Sequence, residues 1–183
     1  MHVKVKPKAS LITRLHVRVI SAARHQGRLT GANLSVPCAI GRSGISAMKR
    51  EGDGASPKGV FPIVGGFYRP DRFAVRPRAG VGLQRLRSQD GWCDAPGDRN
   101  YNRPVSTAYP ASHERLWRDD DLYDIVLVLD CNFTRRRHSA GSAIFFHLSK
   151  ADFAPTAGCV AVRRRDMLRL LDRLARRACV VFP

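Results

Sequence analysis

Apolar residues fall in short runs along this chain, separated by Gly, Pro and Arg, and only one stretch carries a helical period. Leu15-His16-Val17-Arg18-Val19-Ile20 alternates apolar and polar positions, the signature of a strand with one wet face. Val36 to Gly41 and Gly59 to Ile63 read as further strands, with a Gly- and charge-rich loop from Arg42 to Lys58 between them. Ile125 to Leu129 is a continuous apolar run capped by Asp124 and Asp130, too short to cross a membrane, which needs about 18 residues or more. Ala143-Ile144-Phe145-Phe146, Cys159 to Val162 and Cys179 to Phe182 have the length and composition of buried strands. Gly65 to Asn102, rich in Pro, Gly and Arg, predicts turns and short strands.

Two helices are expected. Met167, Leu171, Leu174 and Ala178 recur at helical spacing while Arg169, Asp172, Arg173 and Arg176 take the opposite side, so the period predicts an amphipathic C-terminal helix over Asp166 to Ala178. Asp166 in its first turn and Arg176-Arg177 in its last suit the helix dipole. Ser112 is a suitable N-cap for a short helix through Trp117. Many strands with one strong helix make a mainly β fold. At 183 residues the chain fits one domain, which buries roughly 70% of its unfolded surface. Residues 1–30 are read as a basic N-terminal segment contributing the first strand of the same domain, and residues 31–183 as its main body.

Charge changes this picture less than its size suggests. Lys and Arg number 32 against 15 Asp and Glu, a net +17, and residues 1–50 hold no acid. A basic balance raises nucleic acid as a partner. Only six of the cations are lysines, the arginines are scattered along the whole chain, and no nucleic-acid motif is present. Nucleic acid is therefore not the expected primary partner. The N-terminus lacks the continuous apolar core and small-residue cleavage site of a secretory signal.

The candidate chemistry lies in Gly141 to Val162, GSAIFFHLSKADFAPTAGCVAV. His147 closes one apolar run, and Cys159 opens the next after the turn Pro155-Thr156-Ala157-Gly158. A His and a Cys on adjacent strand ends suit a thiol nucleophile and its base. A free thiol has a pKa near ~8.5, and a neighbouring imidazolium lowers it. Gly158 leaves room for a substrate carbonyl, and the amides of Ala157, Gly158 and Cys159 are candidate oxyanion donors. By spacing alone, a buried structural Cys near an unrelated His is the favoured reading, because buried free cysteines are common. The other cysteines, Cys38, Cys93, Cys131 and Cys179, form no C-x-x-C pair, and no zinc or other metal site is expected.

This segment resembles the catalytic motif of the L,D-transpeptidase (YkuD-like) family, in which a His on one strand is followed by a small-residue turn ending Gly-Cys. The resemblance continues through Lys49-Arg50-Glu51-Gly52-Asp53-Gly54-Ala55-Ser56-Pro57-Lys58-Gly59, Asp90-Gly91-Trp92-Cys93-Asp94, Asn100-Tyr101-Asn102, Ser112 to Trp117 and Leu122-Tyr123-Asp124. It implies a β-sandwich of the L,D-transpeptidase type carrying the two helices, and a transpeptidase of peptidoglycan stem peptides in cell-wall cross-linking. It also implies Cys159 as nucleophile, His147 as general base and acid, Gly158 and Ala157 as backbone oxyanion donors, and no cofactor. Thr156, Asp53, Arg69, Trp92 and Tyr101 are the candidate substrate contacts. A hydrolytic carboxypeptidase or amidase, and a non-catalytic wall- or nucleic-acid-binding relative, are the alternatives. The family points to the cell envelope or periplasm. Two positions depart from better-known members: Leu148 stands where Gly follows the histidine, and Ala161 where an Arg follows the cysteine. Arg163 is the candidate replacement for that Arg.

Overall fold

A computed structural model describes residues 10–20 and 24–183. The first half of the chain supplies β1 (Ile12–Val19), β2 (Gln26–Gly31), β3 (Leu34–Ala39), the two-residue β4 (Ile45–Ser46) and β5 (Ser56–Pro57), and the long β6 (Gly59–Tyr68). Next come β7 (Leu83–Arg85), β8 (Asp90–Cys93), β9 (Pro104–Ser106) and β10 (His113–Arg115). The C-terminal part holds β11 (Ile125–Leu129), β12 (Phe145–Leu148), β13 (Val160–Val162), α1 (Arg164–Leu171) and β14 (Leu174–Phe182).

Eight of these strands form a ring in the order β11-β12-β13-β3-β2-β1-β14-β6, closed by pairing between β6 and β11. Among the described residues the fold is mainly β with one helix, but the sheet is closed and barrel-like rather than the sandwich expected from sequence. The length of β6 explains the closure. Its residues 59–62 pair with β14, and its residues from Ile63 to Tyr68 pair with β11, so one strand joins both ends of the sheet. Gly66 permits the approach, because a Cβ there would stand 2.5 Å from the Val126 carbonyl oxygen. Closure leaves few unpaired strand edges, which are sites of unwanted pairing.

The helix is shorter than its apolar period predicts. It ends at Leu171, and Leu174 begins β14, which pairs in parallel with β1 and antiparallel with β6. Leu174 and Ala178 are buried as expected, but on a strand. Tertiary pairing along Ala178-Cys179-Val180-Val181 overrides the helical spacing, consistent with the strand preference of β-branched residues. The expected short helix from Ser112 is instead β10, paired with β8 in a separate three-stranded sheet. Met167, Leu170 and Leu171 of α1 are fully buried against the ring.

β11 and β12 have a core on each face. Ile125, Leu127, Leu129, Phe146 and Leu148 point into the aliphatic interior. Val126, Val128 and Phe145 point outward into a second core under the three-stranded sheet, with Leu86, Trp92, Leu116, Tyr123 and Cys159. The unbroken apolar run of β11 follows directly, since both its faces are covered.

Candidate active site

His147 and Cys159 reach one place through parallel pairing of β12 with β13, in which Phe146 faces Val160 and His147 faces Ala161. His147 is an interior residue of β12, not its end, and both it and Cys159 are only 6% exposed. They line a cavity of about 480 Å³ together with Thr156, Ala157, Ala143, Ser142 and Tyr123.

The turn before Cys159 is pinned from several sides. Thr156 forms an isolated bridge with Gly41, its Oγ1 donating to the Cys159 carbonyl at 2.7 Å and accepting the Gly158 amide at 3.1 Å. Ser56, fully buried, donates to the Gly158 carbonyl at 2.8 Å and accepts the Gly41 amide at 3.0 Å. Gly158 has φ +141°, and a Cβ there would stand 2.8 Å from the Ala55 carbonyl oxygen. Its glycine is thus required by conformation and by the packing of Ala55, a different reason from the substrate clearance expected from sequence. Its amide, committed to Thr156, is not free to face an oxyanion. The amides of Ala157 and Cys159 donate to no acceptor among the described residues.

The thiol and the imidazole are both held. The Phe145 amide donates to Cys159 Sγ at 3.2 Å, and the Sγ–H donates to the Ala143 carbonyl at 3.2 Å. Ala143 sits at φ 50°, a costly conformation for a residue with a Cβ, and its amide donates to Asn102 Oδ1. His147 Nδ1 lies 2.8 Å from the Leu148 carbonyl oxygen. A carbonyl only accepts, so Nδ1 carries the proton and neutral His147 presents the lone pair of Nε2. Tyr123 packs edge-on against the imidazole at 5.1 Å and gives its hydroxyl hydrogen bond to Glu114.

Burial decides the charge states. It pushes the Cys159 thiol up to about 12 and holds the His147 imidazolium down to about 4. The resting pair is neutral thiol and neutral imidazole, not the ion pair that a solvated Cys and His would favour.

The remaining candidates lie around this cavity rather than on it. Asp53 organises its own loop, accepting from Lys49 Nζ at 2.6 Å and from the Arg50 and Ala55 amides. Arg69 is buried in a two-point pair with Asp71 and stacks on Trp117 at 3.8 Å. Trp92 is 2% exposed, donates to Asn102 and meets Phe145 edge-on, so it supports the strand beneath the site. Tyr101 is buried, and its hydroxyl bonds Glu51, which does line the cavity. Arg163 lies over Phe153 and bonds the Ala151 carbonyl, away from the cavity. Arg42, Lys49, Arg118 and Lys150 are the cations lining it. All five cysteines are free and buried.

Sequence reasoning overlooked Tyr123, Ser142, Asp94 and the two glutamates as cavity residues, and Ser56 as the buried support of the Gly158 turn. One signal was available for the last: Glu51 and Glu114 are the only glutamates in the chain.

The chain matches the family model of the YkuD L,D-transpeptidase catalytic domain over residues 17–182, nearly its whole length, and belongs to that family. No curated protein and no solved structure matches it.

Proposed function

With membership of the L,D-transpeptidase catalytic domain family as premise, we propose that this chain is a cysteine-dependent acyltransferase acting on peptidoglycan stem peptides. The observation that carries the reading is the shared cavity of Cys159 and His147, with the Nδ1 proton anchored on Leu148. That anchor leaves Nε2 as the one basic atom of the ring.

A donor stem peptide entering the cavity displaces water and approaches Sγ. His147 Nε2 takes the thiol proton as sulfur attacks the amide carbonyl beyond the L-centre of a diamino acid. A neutral pair suits this step, because proton transfer and attack proceed together without a buried charge waiting beforehand. The amides of Ala157 and Cys159 receive the oxyanion, each such donor contributing about 3 kcal/mol. His147 returns the proton to the leaving amine, and the terminal D-residue departs. The thioester is then opened by the side-chain amine of a second stem, giving a cross-link. Arg42 and Lys150, without an ion-pair partner among the described residues, supply positive charge for a stem carboxylate where Ala161 replaces the usual Arg.

The test is product analysis by mass spectrometry after incubating the full chain with a synthetic tetrapeptide donor and an amine. Loss of the terminal residue with a new amide, absent in Cys159→Ala, is the expected result. An unaltered donor with reduced native protein would contradict the reading.

A further inference from the structure

Five neighbours in the ring, β3, β2, β1, β14 and β6, carry no Asp or Glu. Alternation divides their side chains between two faces. Leu15, Val17, Leu29, Val36, Val180 and Ile63 enter the aliphatic core. The outward positions of β1 are Arg14, His16 and Arg18, all exposed, and Arg28 of β2 stands directly opposite Arg18. Like charges facing each other across an antiparallel pair weaken it, so the fold gains nothing from this arrangement. Arg28 is held on the face, donating from Nε to Ser35 Oγ at 2.7 Å and from Nη2 to the Ser35 carbonyl at 2.8 Å. None of the three arginines forms a salt bridge among the described residues.

The same outward face continues into hydrocarbon. The register runs from His16 to Val181 and on to Val60, and from Arg14 to Cys179 and on to Pro62. Val60 is 54% exposed and Pro62 is exposed, whereas Phe61 and Ile63 pack on the core side. Leu11 and Ile20, which flank β1, are exposed as well. A cationic strip thus lies edge to edge with an apolar one, with no carboxylate on the strands that carry them. Arginine suits such a border, because its apolar stem lies along hydrocarbon while the guanidinium stays wet. A linear polyanion would engage the arginines and leave the valines idle. An anionic lipid interface engages both, offering charged headgroups above an acyl boundary.

We infer that the outward face of β2, β1, β14 and β6 docks on an anionic lipid surface. The contact is peripheral and electrostatic, so it weakens as salt rises, and it needs no spanning helix. It does not depend on the acyltransferase reading, but it orients the site that reading uses. β1 and β12 are four strands apart in either direction round the eight-stranded ring. A chain lying on its β1 face therefore turns the cavity of Cys159 and His147 away from the lipid, open to substrate from the other side.

The test is cosedimentation of the full chain with vesicles of two parts phosphatidylcholine to one part phosphatidylglycerol, against phosphatidylcholine alone. Native protein is expected to bind the anionic vesicles at least about tenfold more tightly, and less so as salt rises. Arg14→Gln/Arg18→Gln is expected to lose about tenfold, and Val60→Thr/Val181→Thr, which keeps the β-branch, about threefold. Arg18→Gln alone removes the opposed Arg28 pair, so it is expected to weaken binding about threefold while thermal unfolding stays at or above native. Arg135→Gln/Arg137→Gln, which removes the same charge from the loop before β12, is expected to stay within about twofold of native. Equal binding to both vesicles overturns the inference. So does an equal fall in Arg135→Gln/Arg137→Gln, which reduces the effect to net charge, or unchanged binding in Val60→Thr/Val181→Thr, which makes the face a site for a soluble polyanion. None of these outcomes bears on whether Cys159 acylates.

Discussion

The two faces of β11 and β12 differ sharply although the same residues of chain build both. The inward face is hydrocarbon: Ile125, Leu127, Phe146 and Leu148 meet Val160, Val162 and the apolar side of α1. The outward face interleaves hydrocarbon with titratable groups, His147 beside Phe145 and Val126, with Tyr123, Glu114 and Cys159 close by. Strand geometry makes this division available, since successive side chains alternate sides. One face of a strand can therefore secure the fold while the other holds a reactive pair in fixed positions, and the two tasks are separable by mutation.

The largest expected contrast comes from exchanging one residue on each face. Cys159→Ala is expected to abolish acylation while thermal unfolding stays close to native, because only one sulfur is lost. Phe146→Ala or Leu148→Ala, on the inner face, is expected to cost about 2–5 kcal/mol of stability, read from the shift of the denaturant midpoint. A Cys159→Ala chain that retained turnover, or that unfolded as readily as Phe146→Ala, would break the division.

Gly158→Ala sits where the two tasks meet. Its positive φ and the Ala55 carbonyl both oppose a Cβ, so acylation is expected to fall by about two orders of magnitude with a stability loss of about 1–3 kcal/mol. Equal effects on rate and stability would mean that the turn serves the fold alone. Ser56→Ala is expected to act in the same direction with a similar stability cost of about 1–3 kcal/mol, because it leaves the buried Gly41 amide and Gly158 carbonyl without their shared partner.

The smallest effect is one of charge. With the thiol raised to about 12, an alkylating reagent is expected to modify resting Cys159 slowly at pH 7, and faster as pH rises toward that value. With the imidazolium held down to about 4, His147 remains an unprotonated base well below pH 6.5, so the acid limb of kcat/KM for a donor peptide should lie near pH 4. An acid limb near 6.5, or rapid alkylation at neutral pH, would show a solvated, ion-paired site.

The strands were legible where apolar runs were bounded by turn residues, as at Ile125 to Leu129, whereas the run Ala143 to Phe146 is displaced by two residues and pairs as Phe145–Leu148. The end of α1 was not. Leu174 and Ala178 satisfy a helical period and a buried strand alike, and only pairing with β1 and β6 separates them. Barrel closure was hidden for a similar reason, since it depends on β6 changing partners along its length. At the candidate site, the residues supplied by the local motif, His147, Thr156, Ala157 and Cys159, share the cavity. Those supplied by distant loops, Glu51, Asp94 and Glu114, required the fold to bring them there. Arg69 and Trp92 carry charge or aromatic surface that suits a binding role, but a partner within the chain already occupies each.

The most direct measurement is intact-protein mass spectrometry of the reduced chain after exposure to a carbapenem, a class of acylating agent for such thiols. The account predicts one adduct per chain, formed much more slowly in His147→Gln and absent in Cys159→Ala. No adduct on the native chain, or an adduct that persists in Cys159→Ala, would contradict it.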